Sequence, residues 1–181
     1  MTDVEAEPAA AAQVFGDRLE LARLFARQLA DHGEERGLIG PLEPPRLWSR
    51  HILNSAVISG AFASGTRAAD VGSGAGLPGI VLAVARPDVQ WVLIEPMERR
   101  VVWLDEQVDL LGLDNVAVGG ARGGGYEDGI GFDAGAARAG SALRGPVPPD
   151  APPVLPGRAL LFWQGLVVGV GSRAGPKQVR K

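Results

Sequence analysis

Apolar residues in the first third of the chain recur every three or four positions, which is the spacing of one helical face. Asp17 and Glu20 have the spacing of a capping box, so a helix is predicted to begin at Asp17. A linker over residues 33–45, punctuated by glycine and proline, separates it from a second predicted helix over residues 46–59. The apolar positions of the first helix are Phe15, Leu19, Ala22, Phe25 and Leu29.

From residue 66 onwards, short apolar runs alternate with amphipathic segments. This alternation is typical of an α/β fold in which a mostly parallel sheet is flanked by helices, as in Rossmann-like proteins. The continuous apolar run at residues 89–94 indicates a strand buried on both faces. Helices are predicted at 77–85 and 96–111, and strands at 66–71, 89–94, 115–118, 132–137 and 158–163.

The last third of the chain is unusually rich in glycine and proline. Residues 119–145 contain ten glycines and residues 146–156 contain six prolines. Such a composition loses much conformational entropy on ordering and offers little apolar surface to bury. We therefore expect the helix between the fourth and fifth strands to be broken, short or absent.

These patterns predict four segments. Residues 1–12 are expected to form a loose tail, and residues 13–60 a helical extension. Residues 61–165 form the α/β domain, and residues 166–181 a basic C-terminal tail. Within the α/β domain, the hydrophobic pattern says least about the Gly/Pro-rich residues 119–157.

Composition excludes several classes of protein. The chain has 181 residues, 46% of them hydrophobic, which is enough for one domain with a sizeable core. It has no cysteine and two histidines, so we expect no disulfide and no metal site. No apolar run reaches the length of a membrane span, and the acidic N-terminus does not resemble a secretory signal, so a cytoplasmic protein is expected. A net charge of −3 argues against a protein that binds nucleic acid over its whole surface, but a local basic patch could still bind it.

A glycine-rich turn joins the first predicted strand to the next helix. Its pattern is D-x-G-x-G-x-G, whereas a dinucleotide fingerprint would require glycine at Leu77. S-adenosylmethionine has no phosphate and carries cationic groups, so an acid at the strand end suits it better than a dinucleotide. Glu95 ends the next predicted strand, where a carboxylate can accept hydrogen bonds from ribose hydroxyls. The predicted cofactor-binding residues are Asp70, Gly72, Ser73, Gly74, Gly76, Leu77 and Glu95.

Five segments around and including this loop form a recognisable set: ERGLIGP (35–41), RLWSRHILNSA (46–56), ADVGSGAGLPGI (69–80), ARPDV (85–89) and LIEPMERRVVWL (93–104). Over roughly residues 13–118, the chain resembles a known family through these segments. That family is the ribosomal small-subunit RNA methyltransferase G family (glucose-inhibited division protein B), in its actinobacterial branch.

The resemblance implies S-adenosylmethionine-dependent methylation of guanine N7 in 16S ribosomal RNA or the small subunit. It implies cofactor contacts from Gly72, Leu77 and Glu95. Arg122, in the stretch after the third strand, and Arg138, after the fourth, match further positions near the cofactor. Arg138 is also a candidate for orienting the guanine, although a structural salt bridge explains it nearly as well.

The chain departs from the family pattern in its last third. Where the family has Arg-Ala-Glu after the third strand, the matching stretch 120–124 has no acid, and Gln164 stands where a lysine is usual. The chain ends soon afterwards, so the terminal antiparallel strands of the family are expected to be missing or incomplete. The fifth strand would then be an exposed edge.

Basic residues cluster beside the matched motifs and are the candidates for RNA binding, with solvated surface as the alternative for each cluster. His51 is also a candidate for orienting the substrate, with a buried, structurally satisfied histidine as the alternative. The RNA-binding candidates are Arg46, Arg50, His51, Asn54, Arg99 and Arg100.

Guanine N7 carries a free lone pair, so methyl transfer to it needs no general base, and no acid–base catalytic residue is predicted. Three hypotheses remain open at this point. The chain is a ribosomal RNA methyltransferase, a diverged relative that methylates a small molecule, or an inactive cofactor-binding relative. A dinucleotide oxidoreductase is a distant fourth because of the glycine spacing.

Overall fold

A seven-stranded sheet organises the computed structural model, which describes residues 4–120, 132–138, 154–164, 167–172 and 175–178. The strand order is β3-β2-β1-β4-β5-β6-β7, and β1 to β5 run parallel. This confirms the predicted Rossmann-like α/β class. The strands are β1 Arg67–Val71, β2 Gln90–Glu95, β3 Val116–Gly120, β4 Phe132–Arg138, β5 Val154–Gln164, β6 Val167–Ser172 and β7 Gly175–Gln178.

The two last strands correct the expectation of a basic tail with missing terminal strands. β6 pairs antiparallel with β5, with Leu161 opposite Val170, and β7 pairs antiparallel with β6. β5 is therefore not an exposed edge. The sequence signal was weak because glycines interrupt the β-branched residues of β6, and Pro176 in β7 argues against an inner strand. β7 is the outer strand of the sheet, the position at which a proline is tolerated.

All helices of the described part lie before β3. The α-helices are α1 Ala10–Phe15, α2 Leu19–His32, α3 Asn54–Ala56, α4 Gly79–Ala85 and α5 Glu98–Leu111. Short 3₁₀ turns occupy Gly16–Arg18, Pro44–Arg46 and Ser59–Ala61, and a π-helical segment occupies Leu47–Leu53.

The N-terminal helix differs from its prediction. It begins at Ala10, inside the segment expected to be a loose tail, because Ala11 is fully buried and anchors it to the core. A 3₁₀ turn then interrupts it before α2, and no side-chain cap starts α2. The capping box predicted from Asp17 and Glu20 does not form, because the chain arrives at α2 already wound into a turn.

The second predicted helix is also irregular. Instead of one α-helix over 46–59, the chain forms a 3₁₀ turn, the π-helical segment Leu47–Leu53 and the short α3. The π-helical segment buries Trp48 and His51 and leaves Arg50 exposed. π-helical turns are rare and occur frequently at functional sites, so this segment is a candidate for function.

The central strands are buried on both faces, as predicted for residues 89–94. Trp91 and Leu93 of β2 belong to the main core, which packs α2, α4 and α5 on one face of the sheet. Val92 and Ile94 belong to a smaller cluster on the other face. Burial of each such side chain stabilises the fold by about 1.5–3 kcal/mol. The rigid sheet fixes the carboxyl ends of β1 and β2 side by side, with Asp70 opposite Leu93.

Candidate functional site

The chain leaves β1 through a loop that only glycine can form. Gly72, Gly74 and Gly76 have φ values of +74°, +56° and +90°, in the left-handed region that side chains disfavour. A Cβ atom on Gly76 would also lie 2.6 Å from Cγ1 of Ile80. At Gly72 a Cβ would meet nothing within 4 Å, so that glycine leaves open space in front of the backbone.

Asp70, the acid at the end of β1, is completely buried under this loop. Its Oδ2 accepts a hydrogen bond from the backbone N–H of Gly79 at 3.0 Å, which ties the first residue of α4 to β1. Burial raises the pKa of Asp70 to about 7, and the nearby carboxylate of Glu95 adds to the rise. Its Oδ1 is buried and has no hydrogen-bond partner in the described part of the chain. Asp70 therefore orders the loop from below.

Glu95, the last residue of β2, holds the loop from the side. Its Oε2 accepts a hydrogen bond from the N–H of Gly74 at 2.8 Å, and its Oε1 accepts one from the N–H of Met97 at 2.9 Å. The side chain is 2% exposed. Each carboxylate oxygen has a second lone pair, so Glu95 keeps acceptor capacity for a ligand.

Two further side chains fix the loop. Ser73 donates from its hydroxyl to the backbone carbonyl of Asp70 at 2.9 Å and accepts the N–H of Ile94 at 3.0 Å, which links β1 to β2. The indole N–H of Trp103 in α5 donates to the carbonyl of Ala75 at 3.1 Å. Trp103 is fully buried, so α5 supports the loop through the core. The glycine motif did not indicate this support.

A cleft of about 360 Å³ opens in front of the loop. That volume lies in the range of small-molecule sites. Most of the predicted loop residues line it, and Asp70, Gly76 and Glu95 support it from behind. Apolar side chains of the 33–45 linker, Leu38 and Ile39, also line it. The lining residues are Leu38, Ile39, Gly40, Glu43, His51, Gly72, Ser73, Gly74, Ala75, Leu77 and Arg100.

Glu43 is the charged residue of this cleft that the sequence interpretation missed. Its Oε1 lies 2.9 Å from Nη2 of Arg46. Its Oε2 lies 3.1 Å from Nε of Arg50 and 2.5 Å from Nε2 of His51. Burial alone would raise the pKa of Glu43, but the hydrogen bonds and charges of His51 and Arg46 outweigh burial and lower it. Three of the predicted RNA-binding residues therefore converge on one carboxylate, and Glu43 itself lines the cleft.

The other predicted RNA-binding residues are distributed differently. Asn54 donates to the backbone carbonyl of Arg50 at 3.2 Å. Arg100 lines the cleft, with its Nη1 3.9 Å from Oε2 of Glu95. Arg99 is exposed at the start of α5 and is not among the residues that line the cleft. Sequence neighbours Arg99 and Arg100 thus face different surroundings.

Two predicted cofactor residues are not tested by this geometry. Arg122 lies outside the described residues. Arg138 is the last residue of β4, and its side chain also lies outside the described part. Among the residues that the structure describes, no group of His, Asp or Glu side chains is placed to hold a metal ion. No helix in the same part of the chain is both long and apolar enough to cross a membrane.

Comparison with known families decides the relationship. The sequence model described as rRNA small subunit methyltransferase G matches residues 18–162. The chain belongs to this family. The match includes the loop, the cleft and the sheet as far as β5, which confirms the resemblance carried by the glycine loop and the segments around it.

Curated members of the rRNA small subunit methyltransferase G family are similar along the whole chain. A relative of that name from Leifsonia xyli subsp. xyli is 55% identical over 182 residues, covering 100% of this chain and 87% of the relative. The one from Clavibacter sepedonicus is 52% identical over 180 residues, covering 99% and 85%. The similarity therefore includes the glycine- and proline-rich third that departs from the family pattern.

Solved structures with a related arrangement are more distant. A SAM-dependent methyltransferase from Aquifex aeolicus is 18% identical with a TM-score of 0.49, covering 76% of this chain and 69% of that one. A SAM-dependent methyltransferase from Thiobacillus denitrificans, in complex with S-adenosyl-L-homocysteine, is 21% identical with a TM-score of 0.44, covering 61% and 47%.

Proposed function

We propose that this protein is an S-adenosylmethionine-dependent methyltransferase that acts on 16S ribosomal RNA or the small ribosomal subunit, with N7 of a guanine as the methyl acceptor. The observation that carries the cofactor assignment is Glu95, buried at the end of β2 and hydrogen-bonded to the loop that follows β1. Membership of the rRNA small subunit methyltransferase G family supports the RNA substrate.

The residues present fit the cofactor. Gly72 and Gly74 place no side chain in the cleft, so a ligand can approach the backbone of the loop closely. The buried carboxylate of Glu95 lies behind the loop and favours a cationic ligand over a pyrophosphate. In the described part of the chain, Oδ1 of Asp70 is buried and forms no hydrogen bond, as expected where a bound water completes the site.

Each residue has a defined part in holding the cofactor. Glu95 would accept the ribose hydroxyls through its remaining lone pairs. The loop residues Gly72 and Gly74 would lie against the amino-acid end, and Leu77 would supply an apolar wall. When bound, S-adenosylmethionine supplies an activated methyl group on a sulfonium. The protein's contribution is to fix its position and to exclude water.

Methylation at guanine N7 fits the side chains around the cleft. N7 has a free lone pair, so no side chain has to remove a proton before the nitrogen attacks. The cleft accordingly needs groups that orient RNA rather than a general base. His51, which lines the cleft, and Arg50, which shares the carboxylate of Glu43 with it, are suited to that task, because guanidinium and imidazole groups bind phosphates and base edges.

Two measurements test the proposal in sequence. Titration calorimetry with S-adenosylmethionine is expected to show binding to the full chain, and NAD is expected to show none. Purified small subunits from a strain that lacks the modification are then incubated with protein and labelled cofactor. Label in N7-methylguanine of the 16S RNA supports the proposal. Binding without RNA methylation would contradict the RNA assignment, and absence of binding at millimolar cofactor would contradict the methyltransferase itself.

A further inference from the structure

Glu43 lies between two segments that contribute to the cleft. It follows the apolar linker residues that form one wall of the cleft, and it precedes the π-helical segment Leu47–Leu53. Its side chain is 17% exposed, whereas the side chains of Arg46 and Arg50 are 46% and 52% exposed. The carboxylate is thus the shielded centre of a group whose cationic members reach into solvent.

The contacts of Glu43 leave most donors of the two arginines available. Arg46 uses Nη2 and Arg50 uses Nε to reach the carboxylate. A guanidinium has five N–H donors in a planar fork, so each arginine retains several for a second partner. The two guanidiniums and the one carboxylate together carry a net charge of +1, without counting any charge on His51. Such a group attracts an anion while its own cations are held together.

We propose that Glu43 is a positioning residue for the reaction, which gathers Arg46, Arg50 and His51 into one cationic group at the cleft and aims it at the phosphate backbone of the RNA substrate. This inference rests on the proposed function. Without the carboxylate, the two arginines would repel each other and regain the rotamer freedom that the ion pairs remove. Arg50 and His51 are successive residues of the π-helical segment, and both of their side chains contact Glu43.

The contacts that Glu43 already makes distinguish its positioning role from direct binding of the cofactor. Three nitrogen atoms already surround Glu43, and its Oε2 is shared by Arg50 and His51. Both lone pairs of Oε2 are therefore used, and the one left on Oε1 lies beside the guanidinium of Arg46, which repels the ammonium of a ligand. The effect of changing Glu43 should therefore appear in the interaction with RNA and not in the affinity for the cofactor.

The test uses the full chain with Glu43→Gln, which keeps the size of the side chain and removes its charge. The KM for small subunits is expected to rise about tenfold, as expected for loss of charge-assisted contacts. The Kd for S-adenosylmethionine is expected to change less than about twofold, because the loop contacts are intact. Glu7→Gln is the matched control, because Glu7 forms a bidentate ion pair with Arg23 away from this cleft and its loss should leave both constants unchanged.

A double-mutant cycle separates positioning from a structural role. In an Arg50→Ala background, Glu43→Gln should raise KM by much less than in the wild type, because Glu43 acts through Arg50. Glu43→Asp retains the charge and should give an intermediate KM, which also keeps the test available if Glu43→Gln fails to fold. A weakened cofactor Kd, an unchanged KM or additive effects with Arg50→Ala would overturn the inference. Those three outcomes would leave the proposed function intact. If the wild type itself methylates no RNA, both the proposed function and this inference are wrong.

Discussion

The carboxylate of Glu95 accepts a hydrogen bond from the backbone N–H of Gly74 at 2.8 Å, so the acid that ends β2 holds the loop that follows β1. The same side chain accepts the N–H of Met97 at 2.9 Å and thereby fixes the turn into α5. Glu95 therefore stabilises the backbone around the cleft and is also the residue proposed to bind the ribose. Changing it should affect the loop and the ligand together.

Glu95→Gln is expected to weaken S-adenosylmethionine binding about tenfold or more, since a hydrogen bond to a charged group contributes about 1.5–3 kcal/mol. Glutamine keeps one acceptor oxygen but presents an N–H₂ group to an N–H donor of the loop. Titration calorimetry measures the change. Glu98→Gln, at an exposed position in the first turn of α5, is the control and should retain wild-type affinity. Equal affinity of Glu95→Gln and wild type would contradict the role of Glu95.

The parallel part of the sheet was predictable because its strands have strong local signals. Residues 89–94 form a continuous apolar run, and a strand buried on both faces is the structure that such a run favours. β6 and β7 were missed because glycine and proline dilute their pattern and pairing with β5 is a long-range interaction. Likewise, the helix at Ala10–Phe15 depends on tertiary burial of Ala11, which alanine-rich composition does not reveal.

Trp103→Phe is expected to weaken cofactor binding several-fold and to lower the free energy of unfolding by about 1–3 kcal/mol, because the carbonyl of Ala75 loses its buried donor. Trp91→Phe is a matched control. Trp91 is equally buried, but its indole N–H has no acceptor in the described part of the chain. Calorimetry and urea denaturation of both variants give the comparison. Equal losses of cofactor affinity in the two variants would show that the hydrogen bond to Ala75 is unimportant.

Gly79→Ala is expected to destabilise the fold by about 1–3 kcal/mol, because an added methyl group overpacks a filled core. Its Cβ would lie 2.3 Å from Cδ2 of Leu93 and 2.5 Å from Oδ2 of Asp70. The control is Gly60→Ala, since a Cβ there meets nothing within 4 Å and the φ angle is not positive. Thermal denaturation measures both. A Gly79→Ala variant as stable as Gly60→Ala would contradict the close packing of α4 on β1.

The candidate site was predictable where chemistry is local and unpredictable where it depends on packing. Asp70, the glycines and Glu95 lie at the ends of predicted strands, so the sheet had to bring them together. Glu43 lies in a linker without periodicity, and its contacts with Arg50 and His51 depend on the π-helical turn. A pattern of helical spacing does not predict such a turn.

Arg99→Ala is expected to weaken binding to small subunits without changing cofactor affinity, because Arg99 is exposed and does not line the cleft. If Arg99 contacts one phosphate, the slope of log affinity against log salt concentration should fall by about 1. Binding measured at several salt concentrations tests this. An unchanged slope would place Arg99 outside the RNA-binding surface and leave it as solvated surface.

Asp70 should make the stability of the protein fall as the pH rises. Burial is the main reason that the pKa of Asp70 is raised to about 7 in the folded protein, against 3.8 for the ordinary side chain. Between these values the folded protein retains a proton that the unfolded chain releases, so the stabilisation present below pH 3.8 is lost as the pH rises to 7. The size of this contribution is on the order of 4 kcal/mol.

Asp70→Asn removes this dependence, because asparagine is neutral at every pH. Urea denaturation from pH 4 to pH 8 is expected to show that the variant gains stability relative to the wild type as the pH rises, with no further gain above the folded pKa. Asp31→Asn, at an exposed aspartate on α2, should run parallel to the wild type. If the Asp70→Asn curve also runs parallel, Asp70 is ionised in the folded protein throughout the range, and the carboxyl must be better solvated than its complete burial implies.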